Sequence, residues 1–195
     1  MARTRSIDQE SILDAAEAVV ARDGATRLTL EAVAAQAGVS KASVLYDYKN
    51  KQALIAAVVR RATARDNAFN QSRIEALGSV DSPTIRGRID AASQPFPEEF
   101  GAVALQLCAA LAQDQTLRGI IQTNQQQTLA SVLDTAKNPR GARLAYLALE
   151  GLKLLESLDY LHWPDDVRRS ILDDINWLVD SQPGTPTDNL HTPLV

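Results

Sequence analysis

The stretch "TLEAVAAQAGVSKASVLYDY", residues 29–48, has the pattern of two short helices joined by a tight turn. Thr29 and Ser40 are good helix N-caps, and Gly38 permits the chain to reverse between them. The apolar residues of the first helix recur at helical spacing, at Leu30, Val33 and Ala34. This pattern predicts a helix-turn-helix, an arrangement whose second helix lies in the DNA major groove.

The flanking segments also predict helices. Upstream, Ser6 and Gln9 fit a capping box at the start of a first helix that ends at Gly24. Downstream, Asn50 caps a fourth helix that continues to about Leu77. Its buried stripe is predicted at Leu54, Ile55, Val58, Val59 and Ala62.

Lys51 occupies an unusual position, because the positive end of the helix dipole disfavours a cation at a helix start. Two readings are open from position alone. Lys51 is a solvated side chain that costs little, or it lies beside a DNA phosphate and adds to the helix's own amides. The neighbouring helix-turn-helix favours the second reading.

The rest of the chain is also predicted to be helical, which makes the fold class all-α. Further helices are expected near 83–93, 97–113, 115–136, 142–161 and 165–180. The helix at 142–161 is apolar nearly all round, so it requires cover on more than one side. On the final helix the predicted buried stripe is Val167, Ile171, Ile175, Leu178 and Val179. Residues 183–195 lack periodicity and are expected to be disordered.

Composition excludes several classes of protein. No window approaches a membrane span, and the N-terminus lacks the apolar stretch of a secretory signal. Cys108 is the only cysteine, so a reducing cytoplasm is expected, without a metal site or cofactor. The net charge is −4, but residues 1–65 carry ten Lys and Arg against seven Asp and Glu. The positive excess therefore lies at the front of the chain.

Residues 12–58, "ILDAAEAVVARDGATRLTLEAVAAQAGVSKASVLYDYKNKQALIAAV", resemble the DNA-binding domain of the TetR family of bacterial regulators. The shared features are an alanine-rich first helix, a glycine, a Thr-hydrophobic pair, an Ala-Gly-Val-Ser turn, a paired aromatic motif and an Asn-Lys helix start. They fall at Ala15–Ala16, Gly24, Thr29–Leu30, Ala37–Ser40, Tyr46–Tyr48 and Asn50–Lys51. Two positions depart from the pattern: Tyr48 replaces the usual Phe, and Asp47 replaces a common His.

The resemblance implies roles for individual residues. Phosphate contacts are expected at Thr29, Ser40, Tyr46 and Lys51, and base-edge contacts at Lys41, Ala42 and Ser43. Asp47 either reads a cytosine amino group or caps a neighbouring residue. Arg3 and Arg5 are expected to form an arm near the minor groove. Tyr48 is expected in the core.

The resemblance also implies a domain plan, with a DNA-binding domain at 6–66, a helical ligand-binding and dimerisation domain at 67–182, and a tail at 183–195. Helices 142–161 and 165–180 are expected to pair with their copies in a homodimer, although a fully buried helix in a monomer is the alternative. Two-fold pairing places two recognition helices about one DNA turn, ~34 Å, apart. The operator is therefore expected to be a pseudo-palindrome of double-stranded DNA.

A small-molecule inducer is expected to bind among the central helices. The candidate residues are Phe96, Phe100, Leu107, Cys108, Tyr146 and Glu150. Phe100 and Leu107 are more often plain core residues, and Cys108, between Leu107 and Ala109, has the position of a small buried hydrophobe. Glu150 stands out, because an unpaired buried carboxylate is costly. It pairs with Lys153 or Arg143, faces water, or contacts a ligand.

The resulting expectation is a sequence-specific DNA-binding regulator, a repressor released by ligand. An enzyme is the rival from another class, but the chain lacks a Ser-His-Asp signature, a Gly-rich phosphate loop and a metal cluster. A helical adaptor with a silent DNA-binding domain is the third reading. The retention of Tyr46 and Lys51 counts against it.

Overall fold

The structure is a computed structural model that describes residues 8–94 and 114–182. Within these ranges the chain forms eight α-helices and no strand, which confirms the predicted all-α fold. The helices are α1 Gln9–Asp23, α2 Leu30–Ala37, α3 Lys41–Asp47, α4 Lys51–Ala76, α5 Pro83–Ser93, α6 Gln115–Asp134, α7 Pro139–Ser157 and α8 Asp165–Asp180. The helix predicted at 97–113 and the tail at 183–195 lie outside the described residues.

Side chains cap the N-termini of α1 to α4. The caps of α2, α3 and α4 accept a backbone amide at 2.8–3.1 Å and are the predicted Thr29, Ser40 and Asn50. The capping box predicted from Ser6 to Gln9 is wrong, because Asp8 caps α1 and accepts from the amide of Glu10 at 3.1 Å. Aspartate is as good an N-cap as serine, and it lies next to the first helical residue.

Residues 8–69, 114–127 and 157–160 form one compact unit. Its core combines the apolar faces of α1 to α4 with the first part of α6. The core includes Ile12, Val19, Val20, Leu28, Val33, Val44, Leu54, Val58 and Leu117. Tyr48 is buried in this core, which confirms the prediction that it packs inward.

Residues 70–94, 128–156 and 161–182 form a second compact unit. Its core contains Ile85, Ile89, Val132, Ala145, Tyr146, Leu149, Leu152, Leu172, Ile175 and Val179. The end of α4 is held against α5 by an ion pair of Arg73 with Asp90 at 2.5 Å and by contact of Ile74 with Gly87. This close crossing needs glycine, because a Cβ at residue 87 would lie 2.8 Å from the Ile74 Cα.

Two predictions for the last helices need correction. Helix α7 spans Pro139–Ser157 rather than 142–161, because proline suits a helix start and the backbone turns at Asp159, whose φ is 58°. Val167 is exposed rather than buried, since the inner face of α8 runs through Leu172, Ile175 and Val179.

The predicted domain boundary at residues 66 and 67 falls inside α4, which is continuous from Lys51 to Ala76. Residues 51–69 of this helix belong to the first unit and residues 70–76 to the second. The first unit also includes residues 114–127, which the sequence assigned to the second domain. Both α4 and α6 therefore run through two units, and α6 places Leu117 in the core of the first and Val132 in the core of the second.

In the described part of the chain, no helix is long and apolar enough to span a lipid bilayer. The same residues contain no group of three or more His, Cys, Asp and Glu side chains placed to hold a metal ion.

Candidate nucleic-acid interface

The α2–α3 pair has the geometry of a helix-turn-helix. Gly38 ends α2 in the left-handed region with φ of 67°, and its amide donates to the carbonyls of Ala34 and Ala35. A side chain other than glycine is strained at this φ, so the turn itself selects the residue. Val44 is fully buried and anchors the inner side of α3 against the core. The opposite side of α3 is thereby turned to solvent.

The outer side of α3 presents most of the predicted base-reading and phosphate-binding residues together. Lys41, Ala42 and Tyr46 are exposed and Ser43 is half-buried. Tyr46 is 89% exposed, which is unusual for a large aromatic side chain within a helix. The phenolic O–H of an exposed tyrosine is able to donate to a phosphate oxygen.

Lys41 is held by an intramolecular ion pair. Its Nζ lies 2.5 Å from Glu31 Oε1 on α2, and this hydrogen bond lowers the pKa of the Glu31 carboxyl below its usual value. Both side chains are more than half exposed. A DNA base or phosphate would therefore compete with Glu31 for this ammonium group, at little cost because exposed pairs are weak.

Asp47 is a hydrogen-bond partner of Gln9, whose Nε2 donates to Asp47 Oδ1 at 3.0 Å. This contact is a side-chain hydrogen bond between distant parts of the sequence, and the two readings open from sequence, a cytosine contact or a cap on a neighbouring residue, stay predictions. It ties the end of α3 to the start of α1. The negative charge near the recognition helix thus has a structural use within the fold.

The two capping hydroxyls have side-chain partners as well as helix amides, since Thr29 bonds to the Glu31 carboxyl and Ser40 to Ser43. Thr29 and Ser40 use their oxygens as acceptors of helix amides, and Ser40 Oγ also lies 2.8 Å from Ser43 Oγ. A hydroxyl that accepts an amide retains one O–H, which can donate to a phosphate oxygen in place of its side-chain partner. Each lies at a helix N-terminus, where backbone amides already favour an anion.

Lys51 is the first residue of α4 and is half-buried. The first turn of the helix, Lys51 to Leu54, contains no acidic side chain to offset the dipole. Lys51 therefore adds its positive charge to the region of the positive end of the α4 dipole. Like the outer side of α3, this region favours a negatively charged group.

The second unit brings together two of the predicted ligand-binding residues, Tyr146 and Glu150 on α7. Glu150 Oε1 accepts from Arg88 Nη2 at 2.9 Å and lies 3.9 Å from Lys153 Nζ. The predicted pairing with Lys153 is therefore present, whereas Arg143 is exposed. Burial raises the pKa of the Tyr146 phenol to about 12. Phe96, Phe100, Leu107 and Cys108 lie outside the described residues, as do Arg3 and Arg5.

Arg88 on α5 pairs with Glu150 but was not among the ligand-binding residues predicted from the sequence. The signal was available, because Arg88 follows Ile85 by three residues and precedes Ile89 by one. Helical spacing places all three side chains on one face, so an arginine there is half-enclosed by apolar neighbours.

Comparison with known families decides the identity. The family model described as "Bacterial regulatory proteins, tetR family" matches residues 12–58. The model described as "Tetracyclin repressor-like, C-terminal domain" matches residues 83–180, half of the chain. The chain belongs to the TetR family. It is therefore a TetR-family transcriptional regulator rather than an enzyme, and regulators of this family act by binding DNA.

Solved structures share the TetR fold along most of the chain. A TetR-family transcriptional regulator from Rhodococcus sp. is 20% identical with a TM-score of 0.70, over 87% of this chain and 97% of that one. A transcriptional regulator from Streptomyces coelicolor A3(2) is 19% identical with a TM-score of 0.72, over 89% and 98%. The multidrug binding protein EbrR, complexed with malachite green, is 22% identical with a TM-score of 0.66, over 87% and 96%. No curated protein matches this TetR-family chain.

Proposed function

We propose that the protein is a ligand-released repressor that binds a pseudo-palindromic operator as a homodimer. The observation that carries the proposal is the outer side of α3, where Lys41, Ala42 and Tyr46 are exposed together. A short helix fixed by one buried valine and facing solvent with polar side chains suits the major groove.

The candidate contacts fall into two classes. Thr29, Ser40, Tyr46 and Lys51 provide hydroxyl or ammonium donors near helix starts, and these suit phosphate oxygens. Lys41, Ala42 and Ser43 lie in the first turn of α3, which is the part of a recognition helix that contacts base edges. Asp47 contributes by holding α3 to α1 through Gln9.

Exposed apolar side chains support a homodimer. On α7, Leu144, Leu147, Leu154 and Leu155 are between 36% and 58% exposed, and on α8 Trp177 is 67% exposed. Trp177 borders a largely apolar groove of about 370 Å³ that is also lined by Ala148, Ile171, Asp174, Ile175 and Leu178. An apolar surface of this kind is costly in water and is covered favourably by a second copy of the same helices.

Release by ligand is supported by the course of α4. This helix carries Lys51 at its start and contributes residues 70–76 to the second unit. A ligand in the second unit that favours one position of α4 would weaken DNA binding by its differential affinity, typically ~1–3 kcal/mol. The naming of EbrR as a multidrug binding protein is a reason to expect such a ligand.

The test is recovery of genomic DNA fragments by the purified protein at two salt concentrations. The Tyr46→Ala/Lys51→Ala variant is compared with a matched control, Tyr160→Ala/Lys137→Ala, which changes exposed side chains outside the helix-turn-helix. We expect the wild type and the control to recover a few palindromic fragments, and the Tyr46/Lys51 variant to lose them. Phosphate contacts also make the affinity fall steeply with salt.

Weak and equal retention of all fragments by the three proteins would count against sequence-specific binding. It would favour the adaptor reading instead. Addition of a ligand that lowers the affinity for the recovered operator would separate a ligand-released repressor from a constitutive one.

A further inference from the structure

Arg88 is an enclosed cation in the second unit. It lies on α5 beside Ile85 and Ile89 and is 6% exposed. An arginine is charged at every physiological pH, so each of its buried N–H groups needs an acceptor. Nη2 donates to Glu150 Oε1 at 2.9 Å. The Nε–H is buried and has no acceptor among the residues that the structure describes.

Tyr146 provides an apolar wall next to this cation. The Arg88 guanidinium lies 6.0 Å from the centre of the Tyr146 ring, at the outer limit of a cation–π contact. Tyr146 is itself buried, and burial keeps its phenol protonated at neutral pH. The ring therefore offers apolar surface, and its hydroxyl is a neutral group rather than a second anion.

Glu150 does not suit a cationic ligand. Its carboxylate lies between Arg88 at 2.9 Å and Lys153 at 3.9 Å, so a ligand cation would have to displace one of them. Glu150 is therefore already engaged by two cations. The buried Nε–H of Arg88 favours an anionic acceptor.

The cluster is partly exposed at one edge. The side chain of Glu150 is 22% exposed and that of Lys153 is 30% exposed, whereas that of Arg88 is 7% exposed. A ligand entering at the Lys153 edge would reach Arg88 last. Such a site favours a small molecule with one charged end.

We propose that Arg88, Tyr146 and Glu150 form a binding site for a small organic carboxylate, which is the inducer. The ligand carboxylate accepts from Arg88 Nε, and its apolar part packs against Tyr146. Glu150 is a positioning residue, since its bond to Nη2 fixes the guanidinium. This inference rests on the proposed ligand-released repression and names the chemical class of the ligand.

The test follows the Nε–H of Arg88 by NMR in the full-length protein. Its cross-peak is assigned as the one lost in Arg88→Lys and kept in Arg86→Lys, the matched control two residues earlier. Arg86 Nε donates to the Asp81 carbonyl, and its other nitrogens pair with Asn176 and Asp180. If Arg88→Lys does not fold, the peak displaced by Glu150→Gln gives the assignment. The probes are benzoate and hexanoate, and the neutral controls are benzamide and hexanamide.

We expect both carboxylates to shift the Arg88 Nε–H signal and neither amide to do so. Calorimetry should show that Arg88→Lys weakens carboxylate binding by at least roughly tenfold, because the lysine ammonium cannot reproduce the planar guanidinium contact. Arg86→Lys should bind as the wild type does. A signal unmoved by either carboxylate, or moved equally by the amides, would overturn the proposal.

Operator binding is measured in the same samples to separate this inference from the proposed function. If the protein binds its operator but carboxylates leave the Arg88 signal unchanged, the ligand class is wrong and the repressor function stands. If carboxylates bind at Arg88 and no operator is recovered, the site stands and the repressor function is wrong.

Discussion

At the scale of single residues, Arg61 makes a concentrated set of contacts. Its guanidinium is 8% exposed and lies on α4 opposite three carboxylates of α1. The distances are 3.1 Å to Glu10, 2.8 Å to Asp14 and 2.9 Å from Nε to Glu17. Burial is the largest single influence on the Arg61 pKa and lowers it, but the three carboxylates together outweigh burial and raise this pKa. Arg61 therefore fixes α4 against the acidic side of α1.

We expect Arg61→Met to lower the free energy of unfolding by roughly 3 kcal/mol, because it leaves Glu17 half-buried beside other carboxylates. Arg65→Met is the matched control, one turn further along α4. Arg65 contacts Glu17 at 3.0 Å but is 41% exposed, so its loss should cost less than about 1 kcal/mol. Urea unfolding monitored by circular dichroism measures both. If both variants lost the same free energy of unfolding, burial would not explain the difference expected between the two arginines.

Whether a contact could be predicted depends on how far apart its two residues lie in the sequence. The caps at Thr29, Ser40 and Asn50 were predictable, because a cap bonds to an amide two or three residues away. The partner of Glu150 was not fully predictable. Lys153 follows at helical spacing, but Arg88 is 62 residues away and meets Glu150 only when α5 packs on α7.

At the scale of elements, the sequence predicted α2, α3, α5 and α8 closely, because Gly, Pro and capping residues delimit them. It was less accurate for the end of α7. The apolar pattern continues to Leu161, yet the helix ends at Ser157 and the backbone turns at Asp159. Apolar periodicity indicates which face is buried, whereas the end of a helix depends on backbone conformation that periodicity does not encode.

The start of α7 packs closely against the end of α8. A Cβ on Gly141 would lie 2.5 to 2.8 Å from the carbonyl oxygens of Leu178, Val179 and Ser181. Backbone oxygens at a helix end cannot move aside as a flexible side chain can. Residue 141 must therefore be glycine because there is no room for a Cβ. Gly38 differs, since there the positive φ rather than a lack of room favours glycine.

We expect Gly141→Ala to lower the free energy of unfolding by about 1–3 kcal/mol, the usual cost of overpacking. Gly119→Ala on α6 is the matched control, because a Cβ there meets no atom of the described residues within 4 Å. That variant should be stabilised by up to about 1 kcal/mol through helix propensity. Thermal unfolding compares the two directly. A gain in stability from Gly141→Ala would contradict the close packing.

At the scale of the whole molecule, the two parts of the sequence differ in charge. Residues 1–65 have an excess of three positive charges, and the remainder has an excess of seven negative charges. DNA is therefore attracted to the part that carries the helix-turn-helix and repelled by the rest. An acidic chain with a net charge of −4 is compatible with DNA binding for this reason.

Helix α7 has two apolar stripes, and only one belongs to the described core. Ala142, Ala145, Tyr146, Leu149 and Leu152 are buried. The other stripe follows spacings of three, ten and eleven residues from Leu144, which place its members on one side of a helix. Its members are Leu144, Leu147, Leu154 and Leu155.

A second copy of the chain is the expected cover for this stripe, so two glutamates placed in it should prevent association. We expect the wild type to sediment at twice the chain mass of 21.1 kDa and Leu147→Glu/Leu154→Glu to sediment at the chain mass. Each leucine buried in the interface contributes about 1.5–3 kcal/mol, and four are lost per dimer. Val80→Glu is the control, since Val80 is an exposed aliphatic residue between α4 and α5.

The monomeric variant should also lose operator binding while its circular dichroism spectrum stays helical, because one recognition helix contacts only half of a palindrome. A dimer that persists in Leu147→Glu/Leu154→Glu would mean that this stripe is not the interface. A monomeric variant with full operator affinity would show that dimer formation is not needed for operator binding. The operator would then be a single site, and the spacing of two half-sites would play no part in its recognition.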